Sequence, residues 1–123
     1  MRPDQIRIVE VGPRDGLQNE AQPLTPQERV ALIEQLADAG LRDIEAGSFV
    51  SPRWVPQMAG SDEVLIALAE RKDLRLPVLV PNKKGYELSR GAGACEIAVF
   101  GAASETFSQR NINCSIDDSL ARF

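Results

Sequence analysis

The run Leu76-Pro-Val-Leu-Val-Pro81 decides the fold class of this 123-residue chain. It is short and apolar, and it lacks the alternation of apolar and polar residues that marks a strand with one face in water. Strands of this kind occur in parallel sheets whose two faces are both covered by helices. The run therefore predicts a buried strand in an α/β protein.

Helix signals lie on both sides of this strand. Thr25-Pro-Gln-Glu28 combines an N-cap, a proline at the first helical position and a capping-box glutamate, and Gly40 supplies a left-handed stop. Ser61 is expected to cap a second helix, and a third is expected from Lys83 to about Gly91. Ser115-Ile-Asp-Asp118 predicts the start of a fourth helix.

Three more apolar segments alternate with these helices and are predicted to be strands. They are Ile6-Arg-Ile-Val-Glu-Val-Gly12, Ile44-Glu-Ala-Gly-Ser-Phe-Val50 and Glu96-Ile-Ala-Val-Phe100. The segment Ser51–Met58 contains two prolines and is expected to be a loop, with Trp54 packed against the rest of the fold. Strand and helix thus alternate four times, which is typical of an α/β protein with a parallel sheet.

The first strand is followed by Gly12-Pro-Arg-Asp-Gly16, whose spacing and proline do not match the G-x-G-x-x-G turn of a dinucleotide-binding sheet. This favours the other common architecture, a (β/α)₈ TIM barrel. A complete barrel takes about 250 residues, so the chain is expected to supply about the first four βα units. Half a barrel has two open parallel edges, which predicts either a longer protein or pairing with another chain.

Composition limits the possible partners and compartments. Fourteen basic and eighteen acidic residues give a net charge of −4, so no nucleic acid partner is expected. No apolar run reaches the roughly 20 residues of a membrane span, which predicts a cytoplasmic protein that has no membrane partner. The two cysteines are expected to be thiols. The chain contains no histidine, the readiest general base near neutral pH, so it is not expected to complete a catalytic site alone.

Arg14 and Asp15 are the sharpest functional candidates, because they directly follow the first strand and a barrel carries its functional side chains at the carboxyl ends of its strands. An aspartate there can supply an oxygen ligand to a hard divalent cation, and an arginine can donate hydrogen bonds to an oxyanion. A solvent-exposed ion pair in a turn is the alternative. Position alone leaves the two interpretations about equal.

Five segments in order resemble the 3-hydroxy-3-methylglutaryl-coenzyme A (HMG-CoA) lyases. They are Gly12–Glu20 (GPRDGLQNE), Ile44–Met58 (IEAGSFVSPRWVPQM), Pro77–Asn82 (PVLVPN), Phe100–Glu105 (FGAASE) and Asn111–Ile116 (NINCSI). The resemblance implies cleavage of HMG-CoA to acetyl-CoA and acetoacetate with Mg²⁺ or Mn²⁺, in leucine breakdown and ketone-body formation. Its implied partner is an acyl-CoA substrate, and the full-length enzyme is implied to be a homo-oligomer, a dimer.

The resemblance also implies roles for individual residues. Asp15 matches the aspartate that ligates the metal, Arg14 matches the arginine that stabilises the enolate oxygen, and Glu45 matches an active-site glutamate that orients Arg14 or the substrate. Gln18, Ser48 and Asn111 match polar substrate-binding residues. For Gln18 and Asn111 the alternative is hydrogen bonding or capping in a loop, and for Glu45 it is a structural ion pair with an arginine.

In the resembled family the remaining metal ligands are a His-x-His pair and an asparagine from later strands, and a later cysteine protonates the enolate. Cys114 does not match that cysteine. We therefore expect residues 1–123 to be the N-terminal half of a single barrel domain, truncated and inactive alone. A related Claisen-type condensing enzyme and a non-catalytic half-barrel that assembles with a complementary piece remain alternatives.

Overall fold

The structure is a computed structural model that describes residues 4–123. Helices and short strands alternate along these residues, as the sequence predicts. Their order is a π-helical turn (Gly12–Gly16), α1 (Pro26–Asp38), β1 (Gly47–Ser48), a 3₁₀ turn (Pro56–Met58), α2 (Ser61–Ala67), β2 (Val78–Leu79), α3 (Lys83–Gly91), β3 (Ile97–Ala98), α4 (Glu105–Ile112) and α5 (Ile116–Arg122). Within this range no helix has both the length and the apolarity needed to cross a membrane.

The three strands form one parallel sheet in the order β1-β2-β3. The predicted first strand is present as an extended segment that joins β1's side of the sheet through a single parallel bridge, Glu10 to Ile44. The ladders are shorter than the predicted strands. Pro77 and Pro81 flank β2 closely and have no N–H to donate, which limits regular pairing there. The predicted α/β class with a parallel sheet is confirmed.

Helix α1 forms as its sequence signals predict. The Thr25 hydroxyl accepts from the Glu28 N–H at 3.2 Å, and the Thr25 N–H donates to the Glu28 carboxylate at 2.7 Å. The Glu28 carboxylate accepts from the Thr25 N–H and also from the Thr25 hydroxyl, at 2.9 Å, and these two bonds to its charged form lower the pKa of Glu28. Gly40 closes the helix at φ +104°, a conformation that favours glycine.

Two local predictions are wrong. Ser61 does not cap α2: the N-cap is Gly60 at φ +73°, and Ser61 is buried inside the first turn, where its hydroxyl bonds elsewhere. Trp54 does not pack against the fold but is 84% exposed. Both cysteines are free thiols, as expected.

The core lies between the sheet and helices α1 and α2. Its members are apolar side chains from the sheet segments, from these two helices and from the connections after α2 and α3. They are Ile33, Ala37, Ile44, Ala46, Val64, Leu65, Leu68, Leu74, Val78 and Ala94.

Replacing Ile33, which is 0% exposed, with alanine is expected to lower the free energy of unfolding by about 2–5 kcal/mol, since it leaves a cavity. The matched control is Ile66→Ala: Ile66 is 62% exposed, so this change should lower the free energy of unfolding, measured by urea titration, by less than about 1 kcal/mol. Equal losses of stability in the two variants would contradict this packing.

A closed ring of ion pairs marks the amino ends of the strands. Arg7 lies 3.5 Å from Asp43, Asp43 lies 3.5 Å from Arg75, Arg75 lies 2.7 Å from Glu96, and Glu96 lies 3.4 Å from Arg7. Each strand or extended segment contributes one member, and the charges alternate in sign. The ring lies at the opposite end of the strands from Arg14, so the carboxyl end is left for the polar loops.

The outer segments of the sheet expose apolar side chains, as the prediction of two open edges requires. Ile6 and Ile8 on the first segment are 88% and 72% exposed, and Ile97 and Val99 around β3 are 38% and 48% exposed. A sheet whose outer strands carry this much exposed apolar surface is suited to being covered by further structure.

An acid-side loss of stability is expected from Asp73. The Arg71 guanidinium binds its carboxylate with two hydrogen bonds of 2.9 and 3.0 Å and lowers its pKa from 3.8 to about 2. A lowered pKa in the folded state stabilises the fold at high pH, so this contribution is complete above about pH 4 and disappears as the pH falls toward about 2. Asp73→Asn should reduce the drop in the urea midpoint across that range. An unchanged drop would contradict the assignment.

Candidate active site

Arg14 is presented by a tight turn at the end of the first extended segment. The Val11 carbonyl accepts from the backbone N–H groups of Arg14, Asp15 and Gly16 at 3.1, 2.8 and 3.3 Å, and Pro13 is buried beneath the turn. π-helical turns of this kind are rare and are frequently found at functional sites. The turn holds two adjacent charged side chains, Arg14 and Asp15, on one short hydrogen-bonded segment.

The Arg14 guanidinium is fixed by Glu45, which lies 31 residues away in sequence. Arg14 Nε donates to Glu45 Oε1 at 2.7 Å, and the two side chains are only 17% and 8% exposed. The Glu45 N–H in turn donates to the Glu10 carbonyl at 2.8 Å, which joins the two segments that carry the pair. A charge-assisted bond this short, with little access to water, restricts the orientation of the guanidinium.

Asp15 differs from Glu45 in being open to solvent. Its side chain is 57% exposed and lies 3.2 Å from Arg14 Nη1 through Oδ1, while Asn19 Nδ2 donates to its backbone carbonyl at 2.8 Å. An exposed carboxylate with so few partners fits one ligand position of a hard divalent cation. Among residues 4–123, however, no group of three His, Cys, Asp or Glu side chains could hold a metal. Asp15 therefore fits a divalent cation as one ligand, and residues 4–123 do not supply a complete metal site.

The three predicted substrate-binding residues lie in different settings. The buried Ser48, on β1, donates from Oγ to the Leu79 carbonyl at 3.3 Å. Gln18 is half-buried just after the π-helical turn, and Asn111 is exposed in the last turn of α4. Within the described range, no hydrogen bond that involves a side chain connects any of the three to Arg14, Asp15 or the Glu45 carboxylate. The structure thus brings together Arg14, Asp15 and Glu45 and leaves the other three as separate predictions.

Helix α4, which carries Asn111, was not expected from the sequence. The Ser104 hydroxyl accepts from the Phe107 N–H at 3.3 Å at its start, and Asn113 at φ +52° closes it. A serine cap followed by Glu105, with an asparagine at the stop, was an available signal.

Sequence reasoning also missed Arg29. It lies on α1 in phase with Ile33 and Ala37, on the face that packs against the core, and it is 0% exposed. A charged residue at the i−4 position of a buried apolar row was the available signal. Its partners are Gln57 and Ala59 in the connection between β1 and α2, and Ser61 at the start of α2.

A cleft of about 430 Å³ lies away from Arg14, Asp15 and Glu45. It is formed by Ser48 and the start of the following loop, by the start of α2 and by the last turns of α3. None of Arg14, Asp15 and Glu45 lines it. The chemistry of the arginine and the two carboxylates, and not the cleft volume, locates the candidate site.

Comparisons with known proteins identify the relatives of this chain. The model of the HMGL-like family matches residues 5–123. A hydroxymethylglutaryl-CoA lyase of Pseudomonas mevalonii is 62% identical over 118 residues, which cover 96% of this chain and 39% of that protein. A 3-hydroxy-3-isohexenylglutaryl-CoA/hydroxy-methylglutaryl-CoA lyase of Pseudomonas aeruginosa is 58% identical over 121 residues, covering 98% and 40% of the two chains.

The fold agrees as well. The crystal structure of hydroxymethylglutaryl-CoA lyase from Pseudomonas aeruginosa superposes with a TM-score of 0.91 at 58% identity, over 98% of this chain and 40% of that one. The predicted TIM-barrel class is confirmed, since the matched family has this fold. The chain spans about two fifths of the length of these relatives. On these matches, the chain belongs to the HMGL-like family.

Proposed function

We propose that this chain forms one wall of the active site of a lyase that cleaves HMG-CoA into acetyl-CoA and acetoacetate. The observation that carries the proposal is the fixed guanidinium of Arg14, held by Glu45 at 2.7 Å beside the exposed carboxylate of Asp15. The relatives named as lyases support the substrate class. The place in leucine breakdown and ketone-body formation belongs to the same proposal.

The reaction breaks the bond between C2 and C3 of the substrate. The 3-hydroxyl loses its proton and becomes the ketone of acetoacetate, while the bonding electrons pass to the thioester and form an enolate that takes up a proton as acetyl-CoA. Negative charge therefore develops on the thioester oxygen. A fixed cationic donor aimed at that oxygen lowers the barrier, because it needs no reorganisation during the reaction.

Arg14 is suited to this role because only some of its N–H donors are used by protein groups. Nε is occupied by Glu45 and Nη1 faces Asp15, while Nη2 has no hydrogen-bond partner among residues 4–123. The Nη2 protons remain for a substrate oxygen. Glu45 acts as a positioning residue for Arg14, because it holds the guanidinium and is itself almost buried.

Asp15 is proposed as one oxygen ligand of Mg²⁺ or Mn²⁺. Such a cation polarises a substrate oxygen and so assists its deprotonation or its gain of charge. A single carboxylate binds divalent cations weakly, so the other ligands must come from outside residues 4–123. Gln18, Ser48 and Asn111 are proposed to contact the acyl-CoA.

We also propose that residues 1–123 supply the first four βα units of one barrel domain. The exposed Ile6, Ile8, Ile97 and Val99 at the outer segments of the sheet support this, because neighbouring barrel units would cover them. The cytoplasmic location and the homodimer remain predictions.

The test of the proposed reaction uses a chimera in which this chain replaces the matched 118 residues of the Pseudomonas mevalonii lyase. The chimera is expected to release acetoacetate from HMG-CoA, and EDTA should abolish the release. It should not condense acetyl-CoA with 2-oxo acids. Condensation without cleavage would favour the Claisen-type alternative. A folded chimera that does neither would favour the non-catalytic assembly module.

A further inference from the structure

Arg29 is a buried cation whose charge is met by neutral oxygens. Nη1 donates to the carbonyls of Ala59 at 2.7 Å and Gln57 at 3.4 Å, and Nη2 donates to Ser61 Oγ at 3.0 Å. Within the described residues no carboxylate lies within ion-pair distance, and Nε has no hydrogen-bond partner. Burial lowers the pKa of Arg29, while the charge of Glu63 opposes this. An apolar side chain of similar size would avoid these costs, so stability alone does not account for an arginine here.

The contacts of Arg29 converge on the connection that leaves the candidate site. Two of its acceptors, Gln57 and Ala59, lie at and just after the 3₁₀ turn that ends the loop from Ser51. The Gln57 side chain then donates to the Glu20 carbonyl at 3.0 Å. Arg29 therefore holds a loop that also contacts the segment following Arg14 and Asp15.

Ser61 transmits the same restraint to β1. Its hydroxyl donates to the Met58 carbonyl at 2.8 Å and accepts from Arg29 and from the Ser48 N–H at 3.1 Å. Gly47 leaves room for this arrangement, because a Cβ there would lie 2.4 Å from Ser61 Oγ and 3.1 Å from Arg29 Nη2. The backbone at the end of β1 is thus held by side chains of both α1 and α2.

From this arrangement we infer that Arg29 and Ser61 are positioning residues that fix Ser48 for contact with the acyl-CoA substrate. The inference rests on the proposed function only in assigning Ser48 to the substrate. Neither residue contacts substrate. Each acts through the Ser48 backbone and through the loop of residues 51–60.

The first arm of the test measures amide hydrogen exchange in the full chain. Ser61→Ala and Arg29→Met should accelerate exchange of the Ser48 N–H by about 10-fold or more, since its acceptor is lost or released. Ser89→Ala is the matched control: Ser89 is also buried, and its hydroxyl also donates to the carbonyl three residues earlier, at 2.8 Å. It has no hydrogen bond to Arg29, Ser48 or Ser61, so exchange of the Ser48 N–H should stay within about 2-fold of wild type.

The second arm measures steady-state kinetics in the chimera. Ser61→Ala and Arg29→Met should raise KM for HMG-CoA by about 10-fold with a smaller change in kcat, because the loss is in substrate positioning. Arg29→Lys retains the cation and should recover part of the KM. Ser89→Ala should leave both constants near wild type.

The outcomes separate the two proposals. If the Ser48 N–H exchanges at the same rate in Ser61→Ala and in Ser89→Ala, the positioning role is overturned. It is also overturned if exchange is accelerated in Ser61→Ala and Arg29→Met while their KM for HMG-CoA is unchanged. If the wild-type chimera is inactive but Ser61→Ala still accelerates exchange of the Ser48 N–H, the proposed function is overturned, while the restraint of the Ser48 backbone by Arg29 and Ser61 is upheld. Loosened exchange together with a raised KM supports both.

Discussion

Replacing Arg14 with lysine is expected to lower kcat for HMG-CoA cleavage in the chimera by about 10²- to 10³-fold, the usual cost of losing an oxyanion donor. Lysine keeps the positive charge but has one terminal group instead of a planar fork. It cannot bind Glu45 and a substrate oxygen along separate directions, as the Arg14 geometry allows. The measurement is acetoacetate release under saturating substrate.

The control for Arg14 is Arg90→Lys. Arg90 is exposed on α3, and among residues 4–123 its guanidinium donates only to the Ala94 carbonyl, at 3.0 Å, so the rate should stay within about 2-fold of wild type. If Arg14→Lys retained most of the activity, a simple positive charge would be sufficient. The role assigned to the fixed guanidinium would then be wrong.

Asp15→Asn is expected to weaken Mn²⁺ binding to the chimera by about 100-fold. Loss of a residue that only orients a metal ligand lowers metal affinity by about 10- to 100-fold, and loss of the charged ligand itself should lower it at least as much. The amide keeps the shape of the side chain and removes its negative charge. Isothermal titration with Mn²⁺ measures the affinity directly and does not depend on turnover. Asp117→Asn, at an exposed carboxylate in the first turn of α5, is the control and should leave the affinity unchanged. Equal affinities in wild type and Asp15→Asn would remove Asp15 from the metal site.

Local signals predicted the fold where the interactions that form it are local. The capping box at Thr25 and the left-handed Gly40 are both present, because each depends on residues within one helical turn. Ser61 carried an equally good local signal and was assigned wrongly. Its hydroxyl bonds to Ser48 and Arg29, which lie 13 and 32 residues away, and no local pattern contains that information.

The candidate site shows the same division. The position of Arg14 and Asp15 after an apolar strand, together with the family resemblance, was sufficient to select them from the sequence. Their relation to Glu45 is tertiary, and it shows that the two interpretations of Glu45 are compatible: the arginine of its ion pair is Arg14 itself. The turn does not require a glycine at Gly16, because its φ lies outside the left-handed region and nothing lies within 4 Å of an added Cβ.

The most direct test of the account compares acetoacetate release from HMG-CoA by the 123-residue chain alone and by the chimera, with Mg²⁺ present and after EDTA. Because Asp15 provides only one metal ligand and Arg14 only one part of the active site, the chain alone should release no acetoacetate above background. The chimera should turn over at a rate near that of its Pseudomonas mevalonii parent and should stop with EDTA. EDTA-sensitive release by the isolated chain at a rate close to that of the parent would contradict the account.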